Sequence, residues 1–350
     1  MIQYGVSGKK EDDMLNERKR TWVSVSLFLT VFAGILLIAT FFDLEIDRIL
    51  TSHSLAAGDF YTDNIYANFF EAVGMFPRYA VKAFIGIIVM WLFFRTTLPS
   101  ALRYLFFAAG FVFAVYAMAG FFRDLIEYPL AHIVAKYGLF EQKELYYPLK
   151  PYFYAIEYFS SFLTVTLAAV LTRKVSYETW CKLAVFAVAA YIVLLLTGET
   201  VSALKSYVDR PRFRSMNSTL GESVGGFGLY TRWYEVTDNA KLLRGTLLTE
   251  YKDAFRSFPS GHTSNAGASY TLIMLIPCLE IKDKRVRAAL WLTPILWTGL
   301  TAIGRMVAGA HFLSDVLVGG TFAFVYMILA REVFFFRGSH VKAMFGRKEH

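Results

Sequence analysis

TWVSVSLFLTVFAGILLIATFF, Thr21 to Phe42, is a run of 22 residues without a charge. At 1.5 Å per residue a helix of this length covers about 33 Å, enough to cross a hydrocarbon core of roughly 30 Å. Glu-Arg-Lys-Arg stands just before it, at 17–20, and no small-residue cleavage site follows. It is therefore expected to be kept as a first membrane span and not removed as a signal peptide. The rest of the chain has the same character: of 350 residues 56% are hydrophobic and 17% aromatic, more than a soluble domain carries. The expected fold class is an all-α polytopic membrane helical bundle. The net charge of +8 is assigned to lysines and arginines on cytoplasmic loops beside the bilayer, which leaves no nucleic-acid partner. Cys181 and Cys278 are the two cysteines, without metal-ligand spacing, so no disulfide scaffold or metal site is expected.

Seven further apolar runs give about eight transmembrane helices. They are Tyr79 to Phe94, where Lys82 must snorkel toward a headgroup, Tyr104 to Phe122, Pro151 to Thr172, Leu183 to Ala203, Thr263 to Leu279, Ala288 to Ile303 and Val316 to Phe336. Residues 123–151 mix apolar and charged side chains and are read as an amphipathic helix on the membrane surface. The longest polar segment runs from Leu204 to His262. Lysine and arginine are about twofold denser per residue on one set of connections than on the other. That bias places both termini in the cytoplasm and the ends of the last four spans on the outer face of a plasma (inner) membrane.

Three polar motifs meet that outer face. Gly304 to Asp315 carries Arg305, His311 and Asp315. His311 and Asp315 are four positions apart, so on a helix the carboxylate can bond the imidazole and stabilise its cation, while Arg305 offers a flat fork of donors suited to phosphate oxygens. Lys205 to Arg214 puts four cations in ten residues, on the side where they are disfavoured. Phe258 to Ser264 joins Pro259, Ser260, Gly261 and His262 at the start of an apolar helix. There a hydroxyl caps, the glycine lets a ligand approach, and unpaired N–H groups favour an anion. One ligand, a phosphate, satisfies all three.

In these residues the chain resembles the type 2 phosphatidic acid phosphatase superfamily, integral membrane lipid phosphatases related to vanadium haloperoxidases. The second family motif is matched in full at Pro259, Ser260, Gly261 and His262. The first is a lysine, six residues, then Arg-Pro; here Lys205 leads to Arg212, Phe213 replaces the proline, and Arg210-Pro211 stands just upstream as an accessory. The third is matched at Arg305, His311 and Asp315, with Gly304 in place of a serine. The resemblance covers roughly Tyr104 to Phe336. It divides the chain into a cytoplasmic N-terminus with two additional spans (1–100), a six-helix phosphatase core (101–340) with an extracytoplasmic insert at 213–258, and a basic cytoplasmic tail (341–350).

The resemblance implies that His311 attacks phosphorus to give a phosphohistidine, that Asp315 holds its ring, and that His262 protonates the leaving oxygen and then activates water. Lys205, Arg212, Arg305, the Ser260 hydroxyl and backbone N–H groups near Gly261 would hold the phosphate oxygens. With that much positive charge supplied, neither a metal nor a cofactor is expected. The substrate would be a lipid phosphate or lipid pyrophosphate drawn from the bilayer. Two alternatives stay open: a phosphotransferase using the same site, and a non-catalytic phospholipid carrier in which Glu157 and Glu199 couple to ions. Against the carrier, each of these acids is expected to pair with a lysine or arginine. The insert, with Gly225 to Gly228 and Tyr230, Trp233 and Tyr234, is expected to set the choice of lipid.

Overall fold

The apolar runs fold as helices throughout a computed structural model that describes residues 8–137, 142–244, 246 and 253–336. The expected tail at 341–350 lies outside the described residues. Helix α1 spans Gly8–Thr51, α2 Ile65–Val73, α3 Phe76–Phe94, α4 Ser100–Tyr137, α5 Gln142–Thr172 and α6 Tyr177–Val208. After the short α7, Phe213–Asn217, the described residues of the polar segment form brief helical turns. Then come α8 (Gly261–Ala266), a 3-10 stretch (Gly267–Met274), α9 (Leu275–Cys278), α10 (Lys284–Val307) and α11 (Leu313–Phe336). No strand forms among the described residues.

Local chemistry sets the ends. Asn64 caps α2 by accepting the Ala67 N–H at 3.0 Å, Ser176 caps α6 through the Thr179 N–H at 3.2 Å, and Asp283 caps α10 through the N–H groups of Arg285 and Val286. Helix α6 ends where Asp209 takes a left-handed φ of 54°, a conformation aspartate tolerates.

Among the described residues seven helical segments are long and apolar enough to cross a membrane: Val25–Thr51, Ile65–Phe94, Ser100–His132, Pro148–Thr172, Tyr177–Asn217, Lys284–Val307 and Leu313–Phe336. The protein is an all-α polytopic membrane bundle. The remaining expected span, 263–279, falls in α8, the 3-10 stretch and α9. Here Ser269 and Thr271 donate their hydroxyls to the carbonyls three residues back, each at 2.7 Å, which draws the backbone toward the tighter helix. The larger 3-10 rise stretches this segment to about 31 Å. The surface helix expected at 123–151 is not a separate element; its first part continues α4 through Pro129 and its last part opens α5. Glu157 sits 3.4 Å from Arg123, the pairing expected of an acid inside a span.

Close helix packing builds the core. A Cβ on Gly86 would lie 2.5 Å from the Gly110 carbonyl oxygen, and one on Gly110 would lie 2.5 Å from that of Gly86, so α3 and α4 touch backbone to backbone. Trp180, Phe186, Ile273, Met274, Phe324 and Met327 fill the interior between α6, the 3-10 stretch and α11. At one end of the bundle the connecting segments are tied together: Gly58 N–H bonds Asn217 O at 3.0 Å, Arg212 N–H bonds Ala254 O at 2.9 Å and Arg214 N–H bonds Gly309 O at 2.8 Å. The three polar motifs lie at that end.

Candidate active site

Past Asp209 the chain turns inward and buries Arg210 completely. Its Nε donates to Thr231 O at 2.9 Å, Nη1 to Ser314 Oγ at 2.8 Å and Asp315 Oδ1 at 2.5 Å, and Nη2 to Asp43 Oδ2 at 3.0 Å. The guanidinium also stacks 4.2 Å from the centre of the Phe312 ring. Protein groups thus surround the residue singled out as an accessory phosphate ligand, and it braces the site from behind.

Asp315 lies in the first turn of α11. Its Oδ2 accepts the Phe312 N–H at 2.9 Å and the Ser257 hydroxyl at 2.5 Å. The expected helix through His311 and Asp315 does not form, because α11 begins at Leu313 and His311 belongs to the turn before it, which includes Gly309 with a positive φ of 61°. The imidazole is placed differently as a result. His311 Nδ1 is 3.8 Å from Asp315 Oδ2, beyond hydrogen-bond range, and 2.7 Å from the Ser257 carbonyl oxygen. A carbonyl can only accept, so Nδ1 carries the proton and the lone pair is on Nε2. Asp315 fixes the ring at one remove, by holding Ser257. Burial pushes the His311 pKa well below the ordinary histidine value, Asp315 opposes this, and the charges of Arg212 and Lys205 add to it.

The second motif docks on α11. Ser260 N–H donates to Asp315 O at 2.9 Å, and Ser260 Oγ caps α8, accepting from the Thr263 hydroxyl at 3.0 Å. A Cβ on Gly319 would sit 2.5 Å from Ser260 O, so only a glycine lets the turn rest against α11 at this distance. The Lys205 stem passes over Gly261, 3.5 Å from where its Cβ would be, and Lys205 Nζ donates to Arg256 O at 2.5 Å. His262 is next, its ring centre 5.4 Å from that of Tyr128, and its electrostatic neighbours include Arg305, Glu71, His311 and Arg212.

Several side-chain nitrogens here are buried without a hydrogen-bond partner among the described residues: the donors Arg212 Nε, Arg214 Nε, and Arg305 Nε and Nη2, and the ring nitrogen His262 Nε2. Orphaned donors of this kind are rare in a folded protein, and this many converging cations call for an anion. The structure therefore brings Lys205, Arg212, Ser260, Gly261, His262, Arg305, His311 and Asp315 to one place.

It also adds residues the motifs do not reveal. Glu71, buried on α2, lies 2.8 Å from Arg305 Nη1, 2.7 Å from His132 Nε2 and 3.8 Å from Arg214 Nη1. Asp43 on α1 holds Arg210 and accepts the Ser314 N–H at 3.0 Å. Both come from the part of the chain before the motifs. Asp43 sits just past an uncharged run and Glu71 alone among apolar residues, and that isolation is their one sequence signal.

Fold and site together define a polytopic membrane protein in which buried cations converge beside an oriented histidine. Residues 179–339 match the PAP2 superfamily. Two relatives resemble part of this region. Lipid A 1-phosphatase of Rhizobium johnstonii is 36% identical over 81 residues, 23% of this chain and 29% of the relative. The Rhizobium etli protein of the same name is 35% identical over 81 residues, 23% of this chain and 31% of the relative. The match thus spans about three tenths of the length of either relative. No solved structure matches the chain.

Proposed function

We propose that this protein hydrolyses a lipid phosphate or lipid pyrophosphate through a phosphohistidine. The observation that carries this reading is the set of orphaned nitrogens on Arg305, Arg212 and His262 beside a histidine whose free lone pair is on Nε2. In the first step His311 Nε2 attacks phosphorus, the P–O bond to the lipid breaks, and the leaving oxygen takes a proton from His262. The imidazolium formed on His311 keeps its Nδ1 proton on the Ser257 carbonyl, with the Asp315 carboxylate close enough to offset its charge. In the second step water gives a proton to His262 and attacks phosphorus, the P–N bond breaks, and phosphate leaves. Lys205, Arg212, Arg305, the Ser260 hydroxyl and the backbone at Gly261 hold the phosphate oxygens throughout.

The charge distribution along the chain supports a topology with both termini cytoplasmic and the site on the outer face of the inner membrane. At that depth a headgroup reaches the cradle while its tails remain in the bilayer. The names of the two relatives put a phosphorylated glycolipid first among substrates, ahead of phosphatidic acid, phosphatidylglycerol phosphate and polyprenyl pyrophosphate. Detergent-purified protein given these four lipids should release free phosphate from at least one and lose that activity on His311→Ala. Transfer of the phosphoryl group to a second lipid without free phosphate would assign it as a phosphotransferase, and binding without either product would assign a carrier.

A further inference from the structure

A cavity of about 380 Å³ opens beside the cradle, between α3 and α6, with Lys205 and Gly261 in its wall. The α6 side of it is one helical stripe in which Tyr191, Leu194 and Leu195 give way to Gly198, Ser202 and then Lys205. Its lining therefore changes from apolar to polar along its length, as a bound amphiphile requires.

Arg78 and Lys82 of α3 also line it, four residues apart on one helix face. Both are half-buried, and the charge of Arg78 acts on Lys82. Neither makes a side-chain hydrogen bond or ion pair among the described residues; Arg78 lies over the Tyr79 ring, 5.9 Å from its centre, and has Asp124 within electrostatic range. Arg256 is a further cation in the wall, and Glu199 is the one carboxylate among the described lining residues. Two adjacent like charges inside a membrane segment repel and are poorly solvated, and they persist where something negative comes between them. The cradle already has its own cations, so these are additional to what one phosphate needs.

We propose that this cavity is a subsite for a second phosphate on the same lipid, held by Arg78 and Lys82 while the first lies in the cradle. The proposal deepens the lipid phosphatase reading and rests on it. A lipid with two phosphates would then be a better substrate than its singly phosphorylated counterpart.

The test uses purified full-length protein and three lipids with identical acyl chains: diacylglycerol phosphate, diacylglycerol diphosphate and phosphatidylglycerol phosphate. The first has one phosphate, the second an adjacent pair, and the third a pair separated by glycerol. At least one of the latter two should exceed the first in kcat/KM for phosphate release, and which one does so reports the spacing. Arg78→Gln with Lys82→Gln should shrink that ratio at least about tenfold, through KM, as expected for lost charge-assisted contacts. The charge-keeping pair Arg78→Lys and Lys82→Arg should preserve the ratio. Gly198→Leu is an independent probe, because a Cβ there meets no protein atom within 4 Å and the side chain projects into open space; it too should shrink the ratio. Equal use of all three lipids, or a ratio indifferent to every variant, would overturn the subsite and leave Arg78 and Lys82 as headgroup anchors. Should no lipid be hydrolysed, the proposed function fails, and the subsite is still read by native mass spectrometry of the His311→Ala protein in lipid competition. Retention of the two-phosphate lipid, lost on Arg78→Gln with Lys82→Gln, supports it, and indifference overturns it.

Discussion

Asp43 and Arg210 are 167 residues apart in the chain and form an ion pair at 3.0 Å with both side chains buried. Through it the first span reaches the base of the site: Arg210 passes the contact on to Asp315 at 2.5 Å, and Asp43 itself takes the Ser314 N–H at 3.0 Å at the start of α11. Removing Asp43 leaves Arg210 paired with Asp315 alone and takes the acceptor from the Ser314 N–H. Asp43→Ala should therefore cost about 1–3 kcal/mol of stability, seen as a lowered thermal midpoint in detergent, with activity lost in parallel. Asp43→Asn keeps the shape and should lose less.

Ser257 is expected to matter through two atoms. Its carbonyl orients His311 and its hydroxyl is held by Asp315. Ser257→Ala removes only the hydroxyl and should cost about 1–3 kcal/mol, with kcat reduced and KM little changed, since the carbonyl remains to set the tautomer. Asp315→Ala removes the brace on Ser257, Phe312 and Arg210 together and should be the more damaging of the two by both measures.

Gly319 gives a steric test. A Cβ at this position would stand 2.5 Å from Ser260 O, so Gly319→Ala must push the Ser260 turn away from α11. Overpacking of this kind costs about 1–3 kcal/mol, and a shift of ~1 Å at a reacting centre can cost a hundredfold in rate. The expected outcome is folded protein with phosphate release down by one to two orders of magnitude. Steady-state assay alongside thermal unfolding checks it.

The acid side of the pH profile should carry His311. Its pKa in the fold is depressed by burial, relative to an ordinary value of 6.5, so the unfolded chain binds the proton first. The stability this group contributes is present above about 6.5 and is lost as pH falls from there toward the folded value. Thermal midpoints of the parent should decline below that pH, and His311→Gln should flatten part of the decline. An unchanged slope in His311→Gln would show that the ring is not buried neutral.

Much of this was legible in the sequence where chemistry follows local order. Spans are read from charge-free length, and the three motifs from fixed spacing, because each motif is one short stretch of chain where a helix ends or begins. The structure brings together every residue those motifs nominate. What stayed hidden depends on contacts across the bundle. Ser257 acts partly through its carbonyl, which any residue possesses. Asp43 and Glu71 acquire meaning only when α1 and α2 dock against Arg210 and Arg305. The contact expected directly between His311 and Asp315 assumed a continuous helix, whereas the turn through Gly309 places Ser257 between them. Residues 123–151 misled because charged groups in a long helix resemble an interfacial segment, while here Arg123 and Asp124 find Glu157 and Tyr79 inside the bundle.

The central claim is that His311 is the nucleophile, and trapping the covalent intermediate tests it most directly. Purified protein mixed with lipid labelled in its terminal phosphate and quenched in alkali should carry acid-labile, alkali-stable label on the peptide containing His311. The label should vanish in His311→Ala and accumulate in a variant whose second step is slowed, His262→Ala, given a lipid with a good leaving group. Steady phosphate release from His311→Ala, or label on another residue, would contradict the account.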